Sequence, residues 1–361
     1  MRKIKMNLKN AETPIFIGEN TFGDFPRLFK KAKLNGRVFF LVDTKVYSKH
    51  KASIDNVRGA FENHKLMKVK ATEKIKSLDG LSEIYKRLIA NKFGRDTVLV
   101  AIGGGIIGDL GGFVAATFAR GIKYVQVPTT LLAMTDSAIG GKTGINFGGV
   151  KNIVGAFYQP EFILSDVDFL KTLPREDIFS GLGEVIKYCV LTDEKFFDYV
   201  VKNLPRILSK ESPVLQKIVY ESAKIKATVV ENDERESGLR KILNLGHTFA
   251  HAYESVTSHE LSHGKAVLLG IASALILAKK MNLASSGLYE KYFEFFENVK
   301  TEIKNFDFKP SQIYSIMRND KKNRDGKIKF VLPINFGEIA LDVEAPKNQV
   351  FAAIKSLKGL F

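Results

Sequence analysis

The sequence predicts a parallel-sheet α/β half followed by a mainly helical half. Three observations carry this. Short β-rich runs alternate with helical stretches up to about residue 170, the signature of a parallel sheet. One of those runs, Thr97–Ile102, passes straight into glycines. From about Thr172 strand signals nearly vanish and long stretches carry helical spacing. At 361 residues and ~150 residues per domain, length alone also suggests two domains. We place them at 1–172 and 173–361, with the boundary in Leu170-Lys-Thr-Leu-Pro174.

The elements follow in order. Met1-Arg-Lys-Ile-Lys-Met-Asn-Leu8 alternates charged and apolar residues, the period of a strand and not of a signal peptide. Val38–Val42 is a strand ending at Asp43, and Leu78–Ala90 shows helical spacing, with Leu78, Leu81, Ile84, Leu88 and Ile89 apolar. Strand 97–102 leads to a helix over 109–119, and strand Tyr124–Val127 is stopped by Pro128. Segments 175–202, 211–232, 242–255, 264–281 and 285–300 read as helices, and Ile328–Leu332 as extended. The apolar run Ala266–Ala278 has 13 residues between Lys265 and Lys279, short of the ~20 needed to span a bilayer, so it reads as a buried core helix. No membrane partner is expected.

Composition narrows the class. Lys+Arg number 55 against 39 Asp+Glu, a formal charge of +16. That charge admits a nucleic-acid footprint, a field that gathers small anions, or a Lys-rich surface. One cysteine, Cys189, excludes an internal disulfide framework and fits a reducing compartment, so the cytoplasm is the expected location.

Gly103-Gly-Gly-Ile-Ile-Gly108-Asp109 follows a strand and precedes a helix, and Gly103, Gly105 and Gly108 match G-x-G-x-x-G. Glycines let backbone approach a pyrophosphate, and a helix N-terminus offers it free N–H groups. No acidic residue lies in 125–132, and the loop starts about 100 residues into the chain. The reading is a phosphate-cradling loop for a dinucleotide, on a layout other than the standard Rossmann one; a tight turn that binds nothing is the bland alternative. Asp136-Ser-Ala-Ile-Gly-Gly-Lys142-Thr-Gly-Ile-Asn146 ends like a P-loop, but Asp136 stands where its first glycine is needed. It reads as a glycine turn presenting Lys142, with Lys151-Asn152 close behind, suited to an anion.

Four of six histidines fall within 247–263. His247 and His251 share a helix face, which suits metal ligation or proton transfer. His259-Glu260-Leu-Ser-His263 spells H-E-x-x-H, yet its surroundings read as a loop, whereas that zinc-protease chemistry needs one helix. Glu184 and Lys187 stand one turn apart in Ser180-Gly-Leu-Gly-Glu-Val-Ile-Lys; such a pair is often a surface pair, but Leu182, Val185 and Ile186 make this face apolar. Glu184 with two histidines would give an N/N/O set with an open position. Arg240 leads directly into Ile242-Leu-Asn-Leu-Gly-His247.

Together these stretches, with Arg120-Gly121, Val127-Pro-Thr-Thr-Leu131, Gly155–Pro160, Phe169–Pro174, Asp233-Glu-Arg-Glu236 and His263-Gly264, resemble the 3-dehydroquinate synthase family over nearly the whole chain. The resemblance implies a homodimeric, NAD- and metal-dependent enzyme with Zn2+ or Co2+. Its substrate would be a phosphorylated sugar acid, 3-deoxy-D-arabino-heptulosonate 7-phosphate, and it would need no nucleic acid. Transient oxidation, phosphate β-elimination, reduction and intramolecular aldol closure would give 3-dehydroquinate. Carried over by position, the metal ligands are Glu184, His247 and His263, and His251 is non-ligating. NAD would meet Asp43, Glu73, Lys76, Gly105, Ile106, Ile107, Gly108, Asp109, Thr129, Thr130, Lys142, Lys151, Phe169 and Thr172. Substrate would meet Asp136, Lys142, Asn152, Lys187, Lys226, Arg240, Asn244 and Lys322 (or Lys321), with Arg120 reaching the phosphate across a dimer. Ala250, Lys265 and Cys189 depart from the family pattern without removing a ligand. The rivals are a sibling sugar phosphate cyclase, whose substrate lacks the carboxylate, and a polyol or glycerol-phosphate dehydrogenase.

Overall fold

The computed structural model describes residues 1–9, 11–258, 260–303, 306–318 and 327–361. The chain forms two compact units, residues 1–178 with 206–235, and residues 179–205 with 236–361.

The first unit is built on a seven-stranded sheet. Its strands are β1 (Arg2–Asn7), β2 (Glu12–Gly18), β3 (Arg37–Asp43), β4 (His64–Val69), β5 (Thr97–Gly103), β6 (Lys123–Pro128) and, after the separate hairpin β7 (Lys142–Phe147) and β8 (Val150–Phe157), β9 (Ile163–Asp166). The order across the sheet is β1-β2-β9-β6-β5-β3-β4, and β1 with β2 is its antiparallel pair. All seven residues of β5 are buried, as a central strand covered on both faces requires. Chain order runs outward from β3 to β4, then returns to β5 and proceeds the other way through β6. The reversal falls between β3 and β5, where Val42 pairs with Ile102. Ligands of open α/β sheets bind at such a switch point, beyond the strands' carboxyl ends. Asp43 and the glycine run stand there.

Several expectations shift. The helix after the glycines begins at Gly105, not at 109, because Gly104 is already its N-cap. The glycine turn presenting Lys142 is in place, with Gly140 and Gly141 both at positive φ, but it opens an unforeseen hairpin, β7–β8, that turns at Gly148 and Gly149, also with positive φ. The helix 175–202 is interrupted at Asp193, whose carboxylate accepts from the N–H of Phe196 at 2.9 Å and starts Glu194–Lys202. The boundary expected at 172/173 also moves. Helix Arg175–Thr192 crosses from one unit into the other at 178/179, and the chain returns to the first unit over 206–235. That return is driven by helix Ser212–Asn232, which buries Leu215, Ile218, Val219 and Ala223 and packs on β1 and β2.

The second unit is helical around His263–Lys280, whose residues Gly264–Ala278 are all buried. Burying each large aliphatic side chain there contributes about 1.5–3 kcal/mol. The chain 242–255 starts as a 3-10 turn, Leu239–Asn244, before helix His247–Val256. The extended segment near 328 is β10 (Lys329–Asn335), paired with β11 (Glu338–Glu344), a strand the sequence reading did not foresee. Among the described residues no helix is long and apolar enough to cross a membrane.

Candidate active site

In the second unit the three expected metal ligands sit beside three glycines. Gly183 precedes Glu184, Gly246 precedes His247, and Gly264 follows His263. A Cβ on Gly264 would lie 1.6 Å from the Ser180 carbonyl oxygen, and one on Gly183 would lie 2.1 Å from that of Gly264. A Cβ on Gly270 would lie 2.1 Å from the Gly246 carbonyl oxygen. So helices 175–192 and 247–256 both meet helix 263–280 backbone to backbone, and the ligands are carried in with them.

The result is a cluster in which one donor atom each from Glu184, His247 and His263 lies within 4.8 Å of the others. Glu184 Oε1 is 3.1 Å from His263 Nε2 and 3.5 Å from His247 Nε2. The far nitrogens are engaged: His247 Nδ1 lies 3.1 Å from the Leu245 carbonyl, and His263 Nδ1 lies 3.3 Å from Glu254 Oε1. Those acceptors require N–H at Nδ1, which turns Nε2 of both rings toward Glu184. Lys187 Nζ forms an ion pair with the other Glu184 oxygen, both side chains being buried, so this is no surface pair. Burial opposes charge on Glu184, but Lys187 and the two histidines hold its carboxyl well below the usual range. Burial lowers His247 to about 4, so it is neutral at pH 7. Burial also opposes charge on His263, but its bonds to Glu184 and Glu254 carry it up to about 10. A buried carboxylate and two oriented imidazoles are the donor set of a catalytic divalent-metal site, so these residues fit such an ion. The His251 ring stands edge-on to His247 at 5.5 Å and is not a member of the cluster. Glu260–Ser262 are not helical and His263 begins a helix, so the described part of H-E-x-x-H does not share one helix; His259 lies outside the described residues. Arg240 is fully buried, and Asn244 Nδ2 donates to Glu236 Oε1 at 2.8 Å. Lys321 and Lys322 also lie outside the described residues.

In the first unit the glycines serve close approach. A Cβ on Gly103 would be 2.7 Å from Ile107, one on Gly105 3.0 Å from Ser137 Oγ, and one on Gly108 3.0 Å from Gln126. Ile106 and Ile107 continue the first helical turn, with Ile107 in the core. The buried hydroxyls of Thr129 and Ser137 have no hydrogen-bond partner among the described residues. Orphaned donors around a glycine-walled helix N-terminus fit a dinucleotide diphosphate. Thr130 Oγ1 accepts from the Ala133 N–H at 3.1 Å, opening a π-turn over Ala133–Ser137. That turn presents both the carbonyl and the carboxylate of Asp136 to Lys226 Nζ, at 2.7 and 2.8 Å. Lys76, buried, donates to Asp109 Oδ2 at 2.6 Å and also to Asn152 Oδ1. Lys151 lies 3.9 Å from Glu73, and Lys142 opens β7 with its side chain exposed. Asp43 caps helix Thr44–Gly59 through the Lys45 N–H at 3.0 Å. Phe169 packs on Phe22 and on His50, and His50 Nε2 lies 2.7 Å from Thr172 Oγ1. Ala119 and Arg120 both have positive φ, 51° and 69°, a strained pair that holds Arg120 exposed.

Sequence reasoning missed Glu254, Glu236, His50 and Asn146. Glu254 had a signal: it follows His247 by seven residues and His251 by three, on the same helix face. His50 had none, since Thr172 is 122 residues away.

Residues 66–180 match the family described as 3-dehydroquinate synthase N-terminal, and residues 181–323 match 3-dehydroquinate synthase C-terminal. The 3-dehydroquinate synthase of Acetivibrio thermocellus is 40% identical over 337 residues, 92% of each chain. That of Acidithiobacillus ferrooxidans is 38% identical over 358 residues, covering 99% of this chain and 98% of its own. Among solved structures, a 2-deoxy-scyllo-inosose synthase complexed with carbaglucose-6-phosphate, NAD+ and Co2+ superimposes with a TM-score of 0.89 at 22% identity, covering 98% of this chain and 100% of its own. The 2-epi-5-epi-valiolone synthase of Streptomyces hygroscopicus, with NAD+ and Zn2+ bound, gives 0.88 at 24% identity, covering 98% of each chain. A probable glycerol dehydrogenase from Sinorhizobium meliloti gives 0.69 at 14%, covering 96% of each. By sequence over nearly its whole length, and by the two halves that match in order, the chain belongs to the 3-dehydroquinate synthase family.

Proposed function

We propose that this chain converts 3-deoxy-D-arabino-heptulosonate 7-phosphate into 3-dehydroquinate and phosphate. The observation that carries this reading is the preassembled Glu184–His247–His263 donor set, in a chain 40% identical to 3-dehydroquinate synthase over 92% of its length. When bound, NAD+ would supply reversible hydride acceptance, and a divalent cation, Zn2+ or Co2+, would supply Lewis acidity toward substrate oxygens.

The chain's own residues do the rest. Glu184, His247 and His263 hold the cation. His251 hydrogen-bonds substrate and moves a proton. Lys142, Asn152, Lys187, Asn244 and Arg120 take the phosphate, Arg120 from the partner in a homodimer. Lys226, Arg240 and Lys322 take the carboxylate, where a planar guanidinium grips two oxygens. Asp136 steadies Lys226 through the two bonds described above. Asp43, Glu73, Lys76, the run Gly105–Asp109, Thr129, Thr130, Lys142, Lys151, Phe169 and Thr172 form the dinucleotide site. The β7–β8 hairpin exposes the apolar side chains Phe147, Ile153 and Phe157, which support the homodimer. The single, buried Cys189 supports a reducing, cytoplasmic location.

The test is phosphate release from the heptulosonate phosphate, with and without chelator. Release with catalytic NAD+ and no net NADH is expected, and chelator should stop it. Stoichiometric NADH would instead indicate a dehydrogenase. Equal turnover of a hexose phosphate lacking the carboxylate would indicate a sibling cyclase.

A further inference from the structure

Asn152 is a residue of the proposed phosphate site, held in left-handed backbone conformation at φ 53° on an exposed strand. Two residues restrain it. Lys76 Nζ donates to its side-chain oxygen, and Asn146 Oδ1 accepts its backbone N–H at 3.0 Å. The other half of the Asn146 amide is also used: Nδ2 donates to Glu73 Oε2 at 2.7 Å. The partners fix the orientation of this amide, since a carboxylate only accepts and an N–H only donates. The Asn146 N–H in turn donates to the Lys76 carbonyl at 2.8 Å, tying β7 to the loop that carries Glu73 and Lys76.

We propose that Asn146 is a positioning residue that sets two subsites at once, Glu73 for the dinucleotide and Asn152 for the substrate phosphate. This rests on the assignment of Glu73 and Asn152 proposed above. A primary amide is suited to the task because it offers a donor to the carboxylate and an acceptor to the backbone. Aspartate keeps the acceptor but sets a second carboxylate against Glu73. Alanine removes both contacts.

The experiment measures the affinity of the NAD-free chain for NAD+ by calorimetry, and the KM for heptulosonate phosphate at saturating NAD+. Glu73→Gln and Asn152→Ala first test the underlying assignments: the former should weaken NAD+ alone, the latter should raise KM alone. If either fails to do so, the site assignment is wrong. With those in hand, Asn146→Ala should weaken NAD+ and raise KM, each about tenfold, the scale of a hydrogen bond to a charged or oriented group. Asn146→Asp should weaken NAD+ while leaving KM within about twofold of the parent. A merely structural role would move both measures together in both variants, with a matching loss of thermal stability. Asn146→Ala altering one measure alone, or Asn146→Asp raising KM as much as alanine does, would overturn the proposal.

Discussion

Gly264→Ala tests the claim that backbone contact builds the metal centre. The added methyl would sit 1.6 Å from the Ser180 oxygen and 2.5 Å from the Ser180 carbonyl carbon. Neither is a side-chain atom, so no rotamer change relieves the clash. Ordinary contact begins near 3.4 Å, so the two backbones must part by roughly 1.8 Å. That displacement acts on neighbours of Glu184 and His263, now 3.1 Å apart. Metal sites tolerate only about 0.2 Å in ligand distance. We expect Zn2+ affinity of the chelator-stripped protein to fall at least about 100-fold, more than the loss of an outer-shell partner alone. Overpacking should cost about 3 kcal/mol of stability, at the upper end of the usual range. The assay is a Zn2+ titration against a chromophoric chelator, with thermal unfolding in parallel. Gly287→Ala is the control: it lies in helix Ser286–Val299 with nothing within 4 Å of the added methyl. It should stabilise by about 0.4–1 kcal/mol through the unfolded chain, and leave Zn2+ binding unchanged. Parental Zn2+ affinity in Gly264→Ala would refute the argument.

Other outcomes follow from the same geometry. His247→Ala should lose the metal on gel filtration, whereas His251→Ala should retain it and lose rate; equal loss by metal analysis would contradict the ligand set. Metal uptake at pH 7.5 should release about one proton per ion, from His263 at about 10, since His247 at about 4 and Glu184 are already deprotonated. Calorimetry in buffers of different ionisation enthalpy reads that number, and zero would refute it. In the ion-free protein the raised His263 stabilises the fold fully below its ordinary 6.5, and this is lost as pH climbs through about 10. The lowered Glu184 acts oppositely: its share is present above 4.5 and lost on acidification. His247, lowered to about 4, costs stability as pH falls below 6.5, so stripped protein should be most stable near pH 6.5 in pH-dependent thermal unfolding.

Much of this was legible in residue order. The run Thr97–Gly105 announced its strand, its turn and its helix, because a buried parallel strand is apolar throughout and glycine marks the approach to a ligand. Glu184 was readable as more than a surface carboxylate because Leu182, Val185 and Ile186 surround it, and all three are buried. What local pattern does not carry is pairing at a distance. The hairpin β7–β8 looked like a loop because its glycines and polar residues suit either. Its pairing is fixed by contact with helix Gly105–Thr117, about 35 residues earlier in sequence. The positive charge was read through partners, yet Lys76, Lys187, Lys226, Arg240 and Lys265 are all buried, which composition cannot reveal. The segment 206–235 was assigned to the helical half on helical period alone, and period says nothing about which unit a helix joins.

That return of the chain bears on how the protein is made. Residues 1–178 leave the ribosome before helix Ser212–Asn232 exists, although this helix covers β1 and β2 and supplies the lysine that engages Asp136. At about 5–20 residues per second of synthesis, the sheet waits several seconds with that apolar face uncovered. A fragment ending near residue 178 should therefore aggregate, and co-expressed residues 206–235 should rescue its solubility. The first unit matures only after part of the second has been translated.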